Sequence, residues 1–409
     1  MSGSSVVIVG TGQAGFQAAA SLRQEGFDGA IALIGEEPGL PYQRPPLSKA
    51  YLKEGNSDRL VFRSADFFET NDITLIDGTR ADRIDRRDRV VEAGGHRHGY
   101  DHLILATGAR NRTLPLEGTH FDNVVELRTV AHADTLRAHL DRAAHAVIIG
   151  GGFIGLEFAA VAAAAGKRVT ILEAAPRLMA RAVREPMSED FLAAHRAAGA
   201  EIHLNSMVQR IRGDGYRDAT GVELADGRQI DGDLILIAAG AIPNCELAEV
   251  AGLATDNGIV VDETLLTEDP AISAIGDCAA FIDPRTGDRV RLESVQNAAD
   301  QAKCVAARIA GRPAPYDTVP WFWSDQGDRK LQIAGLTGGA DFHVVQSADT
   351  GRLSVFCFRE GRFIGLETVN TPADHMAARK LLATGGALTL PDFEAQDFDL
   401  KALHAGFAG

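Results

Sequence analysis

Val6-Val7-Ile8-Val9-Gly10-Thr11-Gly12-Gln13-Ala14-Gly15 opens the chain, and its pattern returns about 140 residues later as Val147-Ile148-Ile149-Gly150-Gly151-Gly152-Phe153-Ile154-Gly155. In a chain of 409 residues with 43 glycines, three glycines at this spacing arise by chance roughly 0.5 times, so the glycines alone say little. Their surroundings say more. Each copy follows a β-branched apolar run and leads into an alanine-rich helical stretch, Ala14–Gln24 and Ile154–Ala165. Each stretch stops at a glycine, Gly26 or Gly166, the residue that best tolerates a left-handed helix cap. A second apolar strand follows, Ile31–Ile34 or Val169–Leu172, and each ends at an acid, Glu36 or Glu173. The acids lie 26 and 23 residues after the first glycine, near the separation at which a carboxylate reaches an adenosine ribose.

In such a strand–turn–helix unit Gly10 and Gly150 make the tight turn. Gly12 and Gly152 let the backbone approach a pyrophosphate, and Gly15 and Gly155 let helix and strand pack. The helix N-terminus then offers free N–H groups and partial positive charge to the phosphates. Two unrelated strand–helix turns are the plain alternative. Two pyrophosphate sites imply two dinucleotides held at once, and hence passage of electrons between them.

The length predicts two to three domains. The composition, 45% hydrophobic and 24% charged, is that of a globular protein, and the net charge of −15 argues against nucleic acid or an anionic membrane as partner. Cys245, Cys278, Cys304 and Cys357 form no closely spaced pair, which fits a reducing compartment and leaves no redox-active disulfide. There is no basic-then-apolar leader and no apolar stretch of about 18 residues. The expectation is a soluble cytoplasmic protein, a monomer or weak dimer.

The unit that opens at Gly10 closes with Leu103-Ile104-Leu105-Ala106-Thr107-Gly108, and the second closes alike with Leu234-Ile235-Leu236-Ile237-Ala238-Ala239-Gly240. The whole unit is therefore duplicated. Ala274-Ile275-Gly276-Asp277 follows, then a polar helix over about Ser294–Ala310. Beyond a proline-bearing stretch, Leu331–Ala334, Phe342–Gln346, Leu353–Phe358 and Phe363–Thr368 alternate like antiparallel strands. The expected fold is α/β: two Rossmann-like dinucleotide-binding domains plus a C-terminal α+β domain. The boundaries fall near residues 113, 243 and 320.

Three further stretches carry a resemblance: Pro41-Tyr42-Gln43-Arg44-Pro45-Pro46-Leu47-Ser48-Lys49, Glu293-Ser294-Val295-Gln296-Asn297-Ala298 and Pro320-Trp321-Phe322-Trp323-Ser324-Asp325-Gln326. With the duplicated turn they resemble, over essentially the full length, the glutathione-reductase-type flavoproteins. Within these the chain is similar to the NADH-dependent ferredoxin reductases that serve Rieske oxygenases and bacterial cytochromes P450. The resemblance implies that residues 1–113 and 244–320 form an FAD domain, 114–243 an NAD domain and 321–409 the C-terminal domain. It implies also that hydride passes from NADH to FAD and that single electrons then pass to a [2Fe–2S] ferredoxin.

The resemblance also assigns residues. Glu36, or its neighbour Glu37, takes the FAD adenosine ribose. Asp277 takes the ribitol chain, where an Asp capping the next helix is the plainer reading. Thr107, Gly108 and Gly240 line the closing turns, and the helix from Val295 aims its N-terminus at the flavin pyrimidine edge, where its dipole favours negative charge. Lys49 and Glu157, from different units, pair near the flavin N5 and the nicotinamide; an acid simply favoured in a first helical turn is the alternative for Glu157. Arg44 is either a surface arginine or one facing the flavin or the partner. Of Trp321 and Trp323, a run that in most proteins is core, Trp323 is the expected flavin neighbour on the ferredoxin side. Glu173 accepts from a 2′-hydroxyl and repels a 2′-phosphate, which favours NADH, although Arg177 and Arg181 lie close in sequence. A ferredoxin-docking patch has candidates in Arg289, Arg291, Lys303, Arg308, Arg329 and Lys330, or these are a scattered solvated surface.

Three other readings compete. A disulfide reductase needs an early cysteine pair, and a flavin-dependent NADH oxidase or peroxidase commonly uses an early single cysteine; the first cysteine here is Cys245. An NADH-binding signalling flavoprotein like the apoptosis-inducing factors shares the Pro-Pro-Leu-Ser-Lys region.

Overall fold

The computed structural model describes residues 4–349, 351–385 and 388–407. The chain divides into two compact units, one made of residues up to 43, 57–110 and 241–318, the other of residues 44–56, 111–240 and 319 onward.

In the first unit, strand Ser5–Val9 is the centre of a five-stranded parallel sheet. It pairs with Ala30–Ile34 on one side and His102–Leu105 on the other. Ile73–Ile76 and Ile272–Ala274 complete the edges. Val6, Val7, Ile8 and Val9 are all buried, a continuous apolar run expected of a parallel strand covered on both faces. Helix Gln13–Gln24 packs along helix Val295–Ile309, and small residues of both, Ala14, Ala18, Ala298 and Ala302 among them, are buried in one core. Small side chains at such a seam let two helices come close.

The second unit repeats the plan. Strand His145–Ile149 pairs in parallel with Arg168–Leu172 and Leu234–Ile237, with Glu201–His203 and Val124–Glu126 at the edges. Each unit also carries a three-stranded antiparallel meander, within Ala81–Gly99 in the first and Val208–Asp231 in the second. The expected antiparallel tail is a five-stranded sheet in the order Trp321–Gln326, Arg329–Gly335, Arg362–Val369, Arg352–Arg359, Phe342–Asp349. Helix Pro372–Ala383 lies on it and buries Ala378 and Leu381 in a core of phenylalanines.

Residues 44–56, expected in the first segment, pack instead with the second unit. Pro45 and Pro46 start a 3-10 turn that ends at Ser48, and a short helix follows over Ala50–Glu54. Proline pre-sets the φ of a first helical residue at no hydrogen-bond cost. Tyr51 is buried, and its hydroxyl donates to Asp134 at 2.8 Å on helix Val130–Arg142. That helix also supplies Arg137, whose Nε donates to the Leu52 carbonyl. No helix among the described residues is long and apolar enough to cross a membrane.

Candidate functional site

The two glycine turns have nearly the same geometry. Gly10 and Gly150 sit at φ +115° and +113°, a region closed to residues with a Cβ. A Cβ on Gly10 falls 2.1 Å from the Ala106 carbonyl oxygen, and on Gly150 it falls 2.4 Å from that of Ala238. A Cβ on Gly15 or Gly155 lies 1.8 or 2.3 Å from the carbonyl oxygen of the first glycine. The chain itself therefore demands the outer glycines. The middle ones differ: Gly12 and Gly152 have ordinary negative φ in the β region, and a Cβ on either meets nothing within 4 Å. Both are also helix N-caps that bring no side-chain acceptor to the first N–H groups. Open space in front of uncapped N–H groups fits a pyrophosphate, so both turns fit a dinucleotide.

The carboxylates at the strand ends are used differently. Glu173 accepts from the Gly151 N–H and from the Ala175 N–H, each at 2.7 Å. Glu36 is exposed and faces Arg80 at 3.6 Å, while the Tyr42 hydroxyl binds Glu37. Arg177 is consumed internally, donating to the carbonyls of Val183 and Ala180 and to the Ser188 hydroxyl. Arg181 is exposed and lies beside Gly240.

Gly276 has φ +76°, and its N–H donates to buried Gln301 at 2.7 Å. Asp277 follows it in a 3-10 turn, half-buried, with its carbonyl taken by Arg291. It does not cap the next helix: Ser294 does, accepting from Asn297 N–H at 3.1 Å, so that Val295 is the first helical residue. Thr107 and Asn244 exchange side-chain-to-carbonyl bonds of 2.7 and 2.8 Å, which fixes the turn at Gly108.

The second unit brings together Lys49 and Glu157. Nζ stands 2.8 Å from Oε1, and the Glu157 side chain is 4% exposed. Glu157 is the fifth residue of helix Phe153–Ala164, past the first turn, so the first-turn dipole reading is set aside. Its surroundings account for it: the Ser48 hydroxyl donates to Oε2 and the Ser324 hydroxyl to Oε1 at 2.7 Å. A buried carboxylate is tolerable when a cation and hydrogen-bond donors replace water. Ser48 and Ser324 were within the quoted motifs, but nothing in sequence tied them to residue 157. Arg44 is not a free surface arginine; it donates to the Arg128 carbonyl at 2.6 Å.

Trp321 and Trp323 are half-buried and lie together on one face of their strand, ring centroids 5.4 Å apart, with Arg379 4.5 Å over Trp321. Phe322 points the other way, onto Phe153. The docking-patch candidates are reduced. Arg291 and Arg308 are bonded internally, to Asp277 and Ser273, and Arg329 pairs with Asp190 at low exposure. Burial raises the pKa of all four thiols, that of Cys245 to about 12, so each is a poor nucleophile.

Two dinucleotide cradles with a carboxylate–ammonium pair beside the second define an oxidoreductase. The chain belongs to the pyridine nucleotide-disulphide oxidoreductase family, whose profile matches residues 4–302; a reductase C-terminal profile matches residues 321–404. It is 51% identical to rhodocoxin reductase of Rhodococcus erythropolis, over 97% of this chain and 93% of that one. Among solved structures it is similar to the ferredoxin reductase for the CYP199A2 system from Rhodopseudomonas palustris, with TM-score 0.94, 49% identity and coverage of 97% and 99%. The reductase of the covalent putidaredoxin reductase–putidaredoxin complex matches with TM-score 0.95, 36% identity and full coverage of both chains.

Proposed function

We propose that the protein is an FAD-dependent NADH:ferredoxin reductase that supplies a [2Fe–2S] ferredoxin of a cytochrome P450 or Rieske-type oxygenase system in the cytoplasm. The observation that carries this is the pair of cradles: each middle glycine faces open space that the chain itself does not need. The relatives' names, rhodocoxin reductase and the ferredoxin reductase of a CYP system, supply the direction of electron flow. FAD held by the first cradle would supply two-electron hydride acceptance from NADH and one-electron release to the ferredoxin.

The chain's own part is binding, alignment and electrostatics. Gly10, Gly12 and Gly15 with Glu36, Thr107, Gly108, Asp277 and Val295 hold FAD in this reading. Gly150, Gly152, Gly155, Glu173 and Gly240 hold NADH. Lys49 and Glu157 are assigned to the hydride-transfer site, Arg44 to its flank and Trp323 to the ferredoxin side. Glu173 disfavours a 2′-phosphate, and the internal bonding of Arg177 removes one of the two nearby arginines from competition for it. A cysteine-based reductase or oxidase is disfavoured by the four buried or half-buried thiols of raised pKa.

The test is cytochrome c reduction by the purified holoprotein with NADH and then NADPH, with and without an added [2Fe–2S] ferredoxin. Strong ferredoxin stimulation with NADH far ahead of NADPH is expected. Rapid oxygen consumption with no stimulation by several ferredoxins would make it an NADH oxidase.

A further inference from the structure

Glu157 ends a chain of buried hydrogen bonds that reaches well beyond Lys49. The Ser324 hydroxyl donates to Glu157 Oε1 at 2.7 Å, and Gln326 Nε2 donates to the Ser324 oxygen at 3.1 Å. Gln326 Oε1 in turn receives His195 Nε2 at 2.9 Å, and the other Gln326 amide hydrogen points to Met179 sulfur at 3.7 Å. Ser324, Gln326 and His195 are buried, at 0%, 3% and 5% exposure. The three bonds run in one direction. His195 donates a hydrogen bond to Gln326, Gln326 to Ser324, and Ser324 to the carboxylate.

Burial lowers the pKa of His195, and an imidazole whose Nε2–H donates to an amide oxygen needs no charge. Every polar neighbour of Glu157 in this set is then a donor: Lys49, Ser48 and the Ser324 hydroxyl. Ser324 has a single hydrogen, and it is spent on Glu157.

We infer that Ser324, oriented by Gln326 and His195, is a positioning residue that fixes the carboxylate of Glu157 and through it the ammonium of Lys49. Both Lys49 and Ser324 bond the same oxygen, Oε1, so the two contacts together set the rotation of the carboxylate. Ser48 on Oε2 closes the third side. Strand alternation places Ser324 and Gln326 with Phe322 on the face toward the helix of Glu157, while Trp321 and Trp323 occupy the opposite face. The same short strand thus carries the aromatic pair and the hydroxyl that holds the pair. This inference rests on the assignment of Lys49 and Glu157 to the hydride-transfer site.

The test compares holoenzyme variants by rapid mixing with NADH, following flavin reduction and the long-wavelength charge-transfer absorbance of the reduced enzyme–NAD⁺ complex. A hydrogen bond to a charged group lost from this chain is expected to slow Ser324→Ala reduction at saturating NADH by about tenfold or more. The Kd for NADH stays within about threefold, and the charge-transfer absorbance weakens. Ser324→Thr, which keeps the hydroxyl, restores both. Gln326→Leu leaves Ser324 in place and gives a smaller change of the same sign, so the test survives if Ser324→Ala folds poorly. Because Ser324 acts through Glu157, adding Ser324→Ala to Glu157→Gln costs little further, a non-additive cycle. Fully additive losses, or an unchanged Ser324→Ala enzyme beside a slow Glu157→Gln enzyme, overturn the positioning role alone. Lys49→Met and Glu157→Gln enzymes that reduce at the normal rate overturn the site assignment, and the positioning role falls with it.

Discussion

The two glycine turns are near copies in backbone and diverge in what is attached to them. Gly10 and Gly150 share a φ within a few degrees, and both donate to the last carbonyl of the second strand at 2.8 Å. After that the copies part. The first helix is sealed along its length by a second helix and has no buried acid. The second has an acid at its fifth position, met by Lys49, Ser48 and Ser324 from two other segments of the same unit. The strand-end acids part in the same way, Glu36 standing in solvent and Glu173 closing onto its own turn. A duplicated turn fixes where a dinucleotide lies; the residues brought to it decide what that site does.

The largest effect expected separates the glycines by role. Gly15→Ala and Gly155→Ala drive a Cβ into a backbone carbonyl that cannot move without breaking the turn, and each is expected to cost roughly 3 kcal/mol or more of stability. Gly12→Ala and Gly152→Ala meet no chain atom and are expected to fold within about 0.5 kcal/mol of the parent. Their losses lie in the ligands. Gly12→Ala releases flavin on gel filtration while Gly152→Ala keeps it and binds NADH more weakly. If both middle-glycine variants bind both ligands normally, the copies are structural turns and not cradles.

A second expectation concerns the pH response of the units. In the second, burial pushes the Glu367 carboxyl up to about 7, although it accepts the Arg184 N–H at the start of helix Glu185–Ala197. A carboxyl raised from the ordinary 4.5 holds its proton in the folded state over a range where the unfolded chain has lost it. Stability from this group is present below pH about 4.5 and falls as pH rises to about 7. The loss is on the order of 3 kcal/mol, and Glu367→Gln flattens it. In the first unit, burial and the neighbouring Arg308 lower the pKa of His102 to about 3. That histidine contributes in the opposite sense, with stability present above pH about 6.5 and lost as pH falls. Urea unfolding at several pH values, with Glu367→Gln and His102→Asn beside the parent, tests both signs.

The fold was largely readable because its signals are local. The glycine spacings, the β-branched runs and the left-handed Gly26 and Gly166 each concern a few neighbouring residues. The tail strands were readable from alternation, since one face meets a helix. Strand Val124–Glu126, three residues long at a sheet edge, carries too little pattern to be seen. The site was readable only in its named residues. Lys49 and Glu157 came from the family resemblance, but Ser324 reaches Glu157 across 167 residues and His195 reaches Gln326 across 131, and no periodicity encodes such contacts. Arginines were misread for a related reason. Sequence offers Arg291 and Arg308 to a docking surface and Arg177 to a 2′-phosphate, and only the structure reveals that carbonyls and hydroxyls claim them.

The smallest effect expected bears on the acids at the strand ends. Glu173→Ala removes a charged acceptor from two part-buried N–H groups, worth about 2 kcal/mol of stability by the usual cost of an unmet donor. Glu36→Ala removes an exposed carboxylate that forms a 3.6 Å ion pair with Arg80, worth less than about 0.5 kcal/mol. The functional consequences run alongside. Glu173→Ala loses NADH affinity and relieves repulsion of a 2′-phosphate, so the preference for NADH over NADPH is expected to shrink by about tenfold. It does not invert, because Arg177 stays bonded to Val183, Ala180 and Ser188 and only exposed Arg181 remains to meet a phosphate. Adding Arg181→Ala to Glu173→Ala then removes the gained NADPH activity while leaving the NADH rate where Glu173→Ala put it. Steady-state KM values for both nucleotides across the four proteins decide this. An Arg181→Ala change that leaves NADPH untouched would locate 2′-phosphate recognition elsewhere in the second cradle.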